Sequence, residues 1–112
     1  MPTLLRSVIA SLLLIQLAAC GTIKLGRNFD MDAFNSRIER GITTRDQVRG
    51  WLGDPIGSGV SVGSDGQRYD EWTYYFAQGK VSSLSAAKVK ILQIKFDRNG
   101  IVRAYNWSAS AP

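Results

Sequence analysis

The stretch RYDEWTYYFA, residues 68–77, decides the fold of this 112-residue chain. Its side chains alternate. Asp70, Trp72, Tyr74 and Phe76 share one face of an extended strand, and Tyr69, Glu71, Thr73 and Tyr75 share the other. A helix would scatter the three large apolar groups around its axis, whereas a strand gathers them into one stripe. A stripe of this kind facing other elements reads as the floor of a core rather than as a ligand-stacking platform.

Working outward, residues 88–97 alternate in the same way, with Leu92, Ile94 and Phe96 pointing to one side and Gln93 and Lys95 to the other. Asp97-Arg98-Asn99-Gly100 reads as a hairpin turn in which Asn-Gly supplies positive φ values, and residues 101–107 form a third strand. The Gly- and Ser-rich segments 57–66 and 78–87 read as two loops. Upstream the pattern changes to helical. Asp30 can cap a helix through about residue 40, with Phe34 and Ile38 one turn apart and Gly41 as its stop. In GITTRDQVRGWLGDP, residues 41–55, Thr43 and Asp46 have capping-box spacing and Val48, Trp51 and Leu52 recur at helical spacing. Gly53 offers a left-handed end and Pro55 forbids continuation. The expected fold is α+β, a single small domain over residues 30–109, with two short helices followed by a three-stranded antiparallel meander (ααβββ) and both helices on one face.

The only cysteine, Cys20, stands at the end of LIQLAAC, residues 14–20. A lone Cys can be a core hydrophobe, half of an intermolecular disulfide, a nucleophile or a lipid attachment point. Arg6 follows the first few residues, positions 8–17 are apolar apart from Ser11 and Gln16, and Ala18 and Ala19 are small. This is the three-part layout of an export signal. The apolar run is about half of the roughly 20 residues a membrane-spanning helix needs. Leu17-Ala18-Ala19-Cys20 resembles the lipobox of bacterial lipoproteins. That resemblance implies a signal peptide over 1–19, diacylglyceryl and N-acyl lipid on Cys20 as the sole attached group, and a tether over 20–29. Gly21 is not the Asp associated with inner-membrane retention, so the expected address is the periplasmic face of the outer membrane.

Removal of 19 residues leaves 93, enough for one small domain. Those 93 hold 13 basic and 9 acidic side chains, a balance of +4. The charges are scattered, which is the pattern of a solvated mixed surface with a mild preference for anionic head groups; an exported chain gives no reason to expect nucleic acid. Catalysis has little to work with. There is no His, the thiol is assigned to lipid, and Asp70 and Glu71 are neighbours on a strand and so point apart. Ser82, Ser83 and Ser85 have no visible base and read as loop residues, and Gly57-Ser58-Gly59 with Gly63 lacks phosphate-loop spacing. The chain reads as a binding protein, not an enzyme.

The ordered set Gly41-Ile42-Thr43, Gln47-Val48, Leu52-Gly53-Asp54-Pro55, Trp72-Thr73-Tyr74-Tyr75-Phe76, Leu92-Gln93-Ile94-Lys95-Phe96-Asp97 and Gly100-Ile101-Val102 resembles the SmpA/OmlA (BamE-like) outer-membrane lipoprotein family. The resemblance runs from about residue 28 to 106. It implies an accessory subunit of the β-barrel assembly (BAM) machinery, with a BamD-like lipoprotein, a BamA-like barrel and anionic phospholipid as partners. By the same resemblance, Asn28, Phe29 and Ile56 belong to the partner- and phospholipid-binding surface. Read locally, Phe29 is equally a staple on the first helix, and Ile56 the start of a core strand. Two other readings stand beside this one: an independent envelope lipoprotein, and an inhibitor or ligand-sensing module resembling the β-lactamase-inhibitor fold. The latter requires Trp72, Tyr74 and Phe76 to be exposed.

Overall fold

The computed structural model describes residues 21–110, and Cys20 and the expected signal peptide over 1–19 lie outside the described residues. The elements are β1 (Thr22–Gly26), α1 (Met31–Arg37), α2 (Arg45–Leu52), β2 (Gly57–Val62), β3 (Arg68–Lys80), a 3₁₀ segment (Val81–Ala86), β4 (Lys88–Phe96) and β5 (Val102–Ser110). The class is α+β, with two helices and one antiparallel sheet. The sheet has five strands rather than three, and a strand precedes the helices.

β3 is the centre of the sheet. β4 lies along one side of it with β5 beyond, while β1 and β2 share its other edge, β1 against residues 76–80 and β2 against residues 68–73. Residues 22–26 of the expected tether and residues 57–62 of the first expected loop are therefore strands, and residues 63–66 keep the turn. Their Gly, Ser and Thr content argues locally for irregular chain, but β3 is 13 residues long and would otherwise leave a row of unpaired amides and carbonyls along its edge. Backbone pairing across the sheet outweighs local composition. The second expected loop also disappears, because β3 continues to Lys80 and the 3₁₀ segment carries the chain to β4.

The alternation in β3 places its stripe inward as expected. Trp72, Tyr74 and Phe76 are buried together with Leu92, Ile94 and Phe96 of β4 and Val102 of β5. The helices close this layer from one side with Met31 and Phe34 of α1 and Val48 and Leu52 of α2. Cross-strand rows run Trp72, Ile94, Tyr105 and Tyr74, Leu92, Trp107. Trp72 meets Phe96 edge-on with ring centroids 4.8 Å apart, and Phe34 meets Tyr105 in the same manner at 5.3 Å. Each such pair adds about 0.5–1.5 kcal/mol beyond area burial.

Two local expectations shift, the end of α1 by about three residues and the cap of α2 by one. Asp30 caps α1, its Oδ1 accepting from the Ala33 amide at 2.9 Å, but the helix ends at Arg37, with Ile38 as C-cap and only partly buried. The capping box of α2 is Thr44 with Gln47, not Thr43 with Asp46. Thr43 is buried, and its carbonyl accepts from the Val102 amide at 2.9 Å while Arg45 donates to the Gly100 carbonyl at 2.8 Å. These bonds stitch the residues before α2 to the β4–β5 turn and move the start of the helix. In that turn only Gly100 has positive φ, at 74°; Asn99 does not share it. Asp97 organises the turn instead, its Oδ1 accepting from the Asn99 and Ile101 amides and its Oδ2 from Arg103 Nε at 2.6 Å. The Ile101 amide bond, followed by Arg103, holds the Asp97 carboxyl below the usual carboxylate range.

Candidate functional site

The residues assigned to a partner surface lie in the segments that enter α1 and leave α2. Gly26 ends β1 with φ +76°, and the Arg27 amide donates to the Tyr75 carbonyl at 3.3 Å. That turn throws Asn28 outward and drives Phe29 inward. The Phe29 ring is 5 % exposed and packs on Tyr74 at 5.6 Å. The Phe29 carbonyl accepts from Lys90 Nζ, whose ammonium lies 4.9 Å above the Phe29 ring. Phe29 thus takes the inward, stapling role, and its ring presents nothing to a partner.

On the other side of the seam, α2 stops at Gly53, which has φ +79°. The Tyr74 hydroxyl donates to the Gly53 carbonyl at 2.8 Å and fixes the exit of the helix on the sheet. Ile56 then donates its amide to the Thr73 carbonyl at 2.9 Å, immediately before β2. Its side chain is 53 % exposed, so Ile56 is not a core residue; its Cδ1 lies over Gly26. Asn28, Phe29 and Ile56 meet along one shallow seam, bordered by Arg27, Asp54 and Tyr75. What the seam offers to solvent is an amide side chain, an aliphatic side chain and nearby charges of both signs. The seam is a shallow surface feature and not a cavity for a small molecule.

A wider open cleft of about 600 Å³ adjoins the seam between the start of α1 and β5, with Asn28, Asp30, Asp32, Lys90 and Trp107 among its lining. Sequence reasoning missed Lys90 and Trp107. The available signal was parity: Lys90 falls on the same face of β4 as Leu92, Ile94 and Phe96, where a lysine needs a partner, and it finds one in the Phe29 carbonyl.

Tyr74 links the seam to the core, and its titration reports on that link. Burial pushes its hydroxyl up to about 12 from 10.0, with Arg49 opposing the rise and Asp54 adding to it. The unfolded chain ionises this phenol near pH 10 and the fold resists ionisation until about 12. The stability contributed by the neutral phenol is therefore complete below pH 10 and is lost between pH 10 and 12. Denaturation midpoints followed from pH 9 to pH 12 should fall over that window. In Tyr74→Phe this residue's share of the fall should vanish, while stability at neutral pH drops by about 1 kcal/mol through the lost bond to Gly53.

Other residues that the sequence raised as chemistry are not brought together. Asp70 pairs with Arg45 at 3.2 Å on the helix side, whereas Glu71 faces Lys95 across the opposite side of the sheet. Ser82 and Ser83 lie in the 3₁₀ segment. Among the described residues no group of three His, Cys, Asp or Glu side chains could hold a metal ion, and no helix is long and apolar enough to cross a membrane. A scan of the chain against protein-family models and a search of the curated proteins gave no match.

Proposed function

We propose that this protein is a non-enzymatic outer-membrane lipoprotein, anchored through lipid on Cys20 and facing the periplasm, that serves as an accessory subunit of the barrel-assembly machinery. Its partners on this reading are a BamD-like lipoprotein, a BamA-like barrel and anionic phospholipid. The observation that carries the reading is the seam. Asn28 and Ile56 are far apart in the chain and belong to different segments, yet they border one exposed surface beside the buried Phe29. Those are the positions the SmpA/OmlA resemblance assigns to partner contact. The ordered motifs that carry the resemblance, and the small α+β domain with both helices on one sheet face, support it further.

The mechanism is two-point attachment. Acyl chains confine the domain to the membrane plane, so a modest contact at the seam acts at high effective concentration. The inhibitor-like alternative required an exposed aromatic face, and the burial of Trp72, Tyr74 and Phe76 counts against it.

The test is purification of the full chain from its native outer membrane in mild detergent, with co-purifying proteins identified by mass spectrometry and Cys20→Ala as control. Barrel-assembly subunits should be recovered, and Ile56→Ala or Asn28→Ala should lower that recovery about tenfold, the equivalent of about 1.4 kcal/mol of contact energy at each position. An acylated protein recovered without those subunits would transfer the assignment to an independent envelope lipoprotein.

A further inference from the structure

Residues 21–26 leave no slack between the lipid-bearing position and the domain. Thr22 is in register with Lys80, and the Gly21 carbonyl accepts from the Val81 amide at 3.1 Å. A lipid on the residue before Gly21 would therefore join the protein at one defined end of the sheet, where β1 begins, β3 ends, β4 begins and β5 ends.

That end has an unusual distribution of side chains. Lys24, Gln78 and Lys88 form one cross-strand row, and Lys80 lies two residues farther along the same face. All three lysines are exposed, and none is in an ion pair among the described residues. On the opposite face Leu25, Ala77 and Val89 form the matching row, with Tyr75 and Ile91 in the next, and Ile23 opposite Gly79. Ile23 and Leu25 are 39 % and 56 % exposed. The sequence holds no Asp or Glu between Glu71 and Asp97, nor any from residue 21 to 29. The strands at this end of the sheet are thus cationic on one face and apolar on the other and carry no acidic group themselves, while Asp30 and Asp32 at the start of α1 line the adjoining cleft beside Lys90, one row farther from the end. The acidic residues of the domain lie toward the helices and toward the turns at the far end.

We propose that this end is a membrane-contact surface on which the domain stands, strands running away from the bilayer. Ile23 and Leu25 lie against the interface, and Lys24, Lys80 and Lys88 take the phosphates of anionic phospholipids. The inference rests on the lipid-anchor reading above and adds orientation to it. β3 rises about 3.3 Å per residue, so the seam beside Thr73 would be held roughly 20–25 Å above the head groups, which leaves Asn28 and Ile56 to a partner protein and moves the anionic-phospholipid contact that the resemblance assigns to the seam to this end of the sheet. The far turns would stand about 40 Å from the surface.

The test uses the full chain, exported and acylated, with a single spin-labelled cysteine introduced as Ser82→Cys at the anchored end or Ser64→Cys in the far turn. Vesicles of phosphatidylethanolamine and phosphatidylglycerol are compared with phosphatidylcholine alone, and collision with an aqueous nickel chelate is measured. The Ser82 label should be shielded on the anionic vesicles, and the Ser64 label should not. Each lysine beside an anionic surface favours the docked arrangement about fivefold, so Lys24→Gln, Lys80→Gln and Lys88→Gln together should weaken it about a hundredfold and release the shielding. Equal aqueous accessibility at the two positions in acylated protein, or shielding that survives the triple change, overturns the inference while leaving the anchor in place. A purified chain whose intact mass carries no acyl groups on Cys20 overturns the anchor reading itself, and this inference with it.

Discussion

Replacing Phe34 with alanine is expected to destabilise the domain by about 3–5 kcal/mol, the range for emptying a buried aromatic site. Phe34 is fully buried and supplies the ring that α1 sets against Tyr105 of β5. α1 has seven residues, too few to persist as a helix in water without tertiary contacts. Losing the ring therefore removes both a large buried group and the reason for the helix to remain on the sheet. For a domain of about 90 residues, each kcal/mol corresponds to about 4–8 °C in Tm, so a fall of about 12–40 °C should appear in thermal unfolding followed by circular dichroism. A fall of only a few degrees would mean that the sheet carries the stability without α1. Amide exchange should quicken throughout the domain, because the affected layer is the shared core.

Gly26→Ala should have a comparable cost with a different distribution. Gly26 has φ +76°, where an L side chain costs about 1–2 kcal/mol, and an added Cβ would fall inside contact distance of the Tyr75 carbonyl oxygen. That oxygen belongs to the backbone of the central strand, so β1 must move rather than β3. We expect a loss of about 2–4 kcal/mol, confined to β1 and its pairing. Amides in Thr22–Gly26 should lose protection from hydrogen exchange, while those of Leu92 and Ile94 keep theirs. On the proposed lipid-anchor reading, the same variant should also free residues 21–26 from the sheet and abolish any fixed orientation at the membrane. Uniform loss of protection would show instead that β1 is integral to the cooperative core.

The contrast between the two positions shows what was legible in the chain. Phe34 could be identified from spacing alone, because helical periodicity and burial depend on neighbours three and four residues away. The inward stripe of Trp72, Tyr74 and Phe76 and the opposing Leu92, Ile94 and Phe96 were readable for the same reason, and the helix stop at Gly53 and the turn at Gly100 from the conformational freedom of glycine. β1 was not. Nothing in TIKLG signals a strand as strongly as the edge of β3 demands one, and the demand comes from residues fifty or more positions away. The candidate site divides along the same line. Asn28 and Ile56 could be named from the resemblance, but the inward turn of Phe29, which leaves those two as the exposed pair, depends on Tyr74 and Lys90 from separate strands.

By itself, then, the sequence determined the class of the fold, the faces of β3 and β4, the two helices and their approximate stops. Each of these follows from the periodicity of side chains along a short stretch and the conformational limits of Gly and Pro. Only the tertiary structure decided the number of strands, the start of α2, the burial of Phe29 and the joining of residues 21–26 to the sheet. Those outcomes are set by backbone hydrogen bonds that a strand edge must satisfy with whatever chain lies beside it, and by contacts between segments that the sequence holds apart.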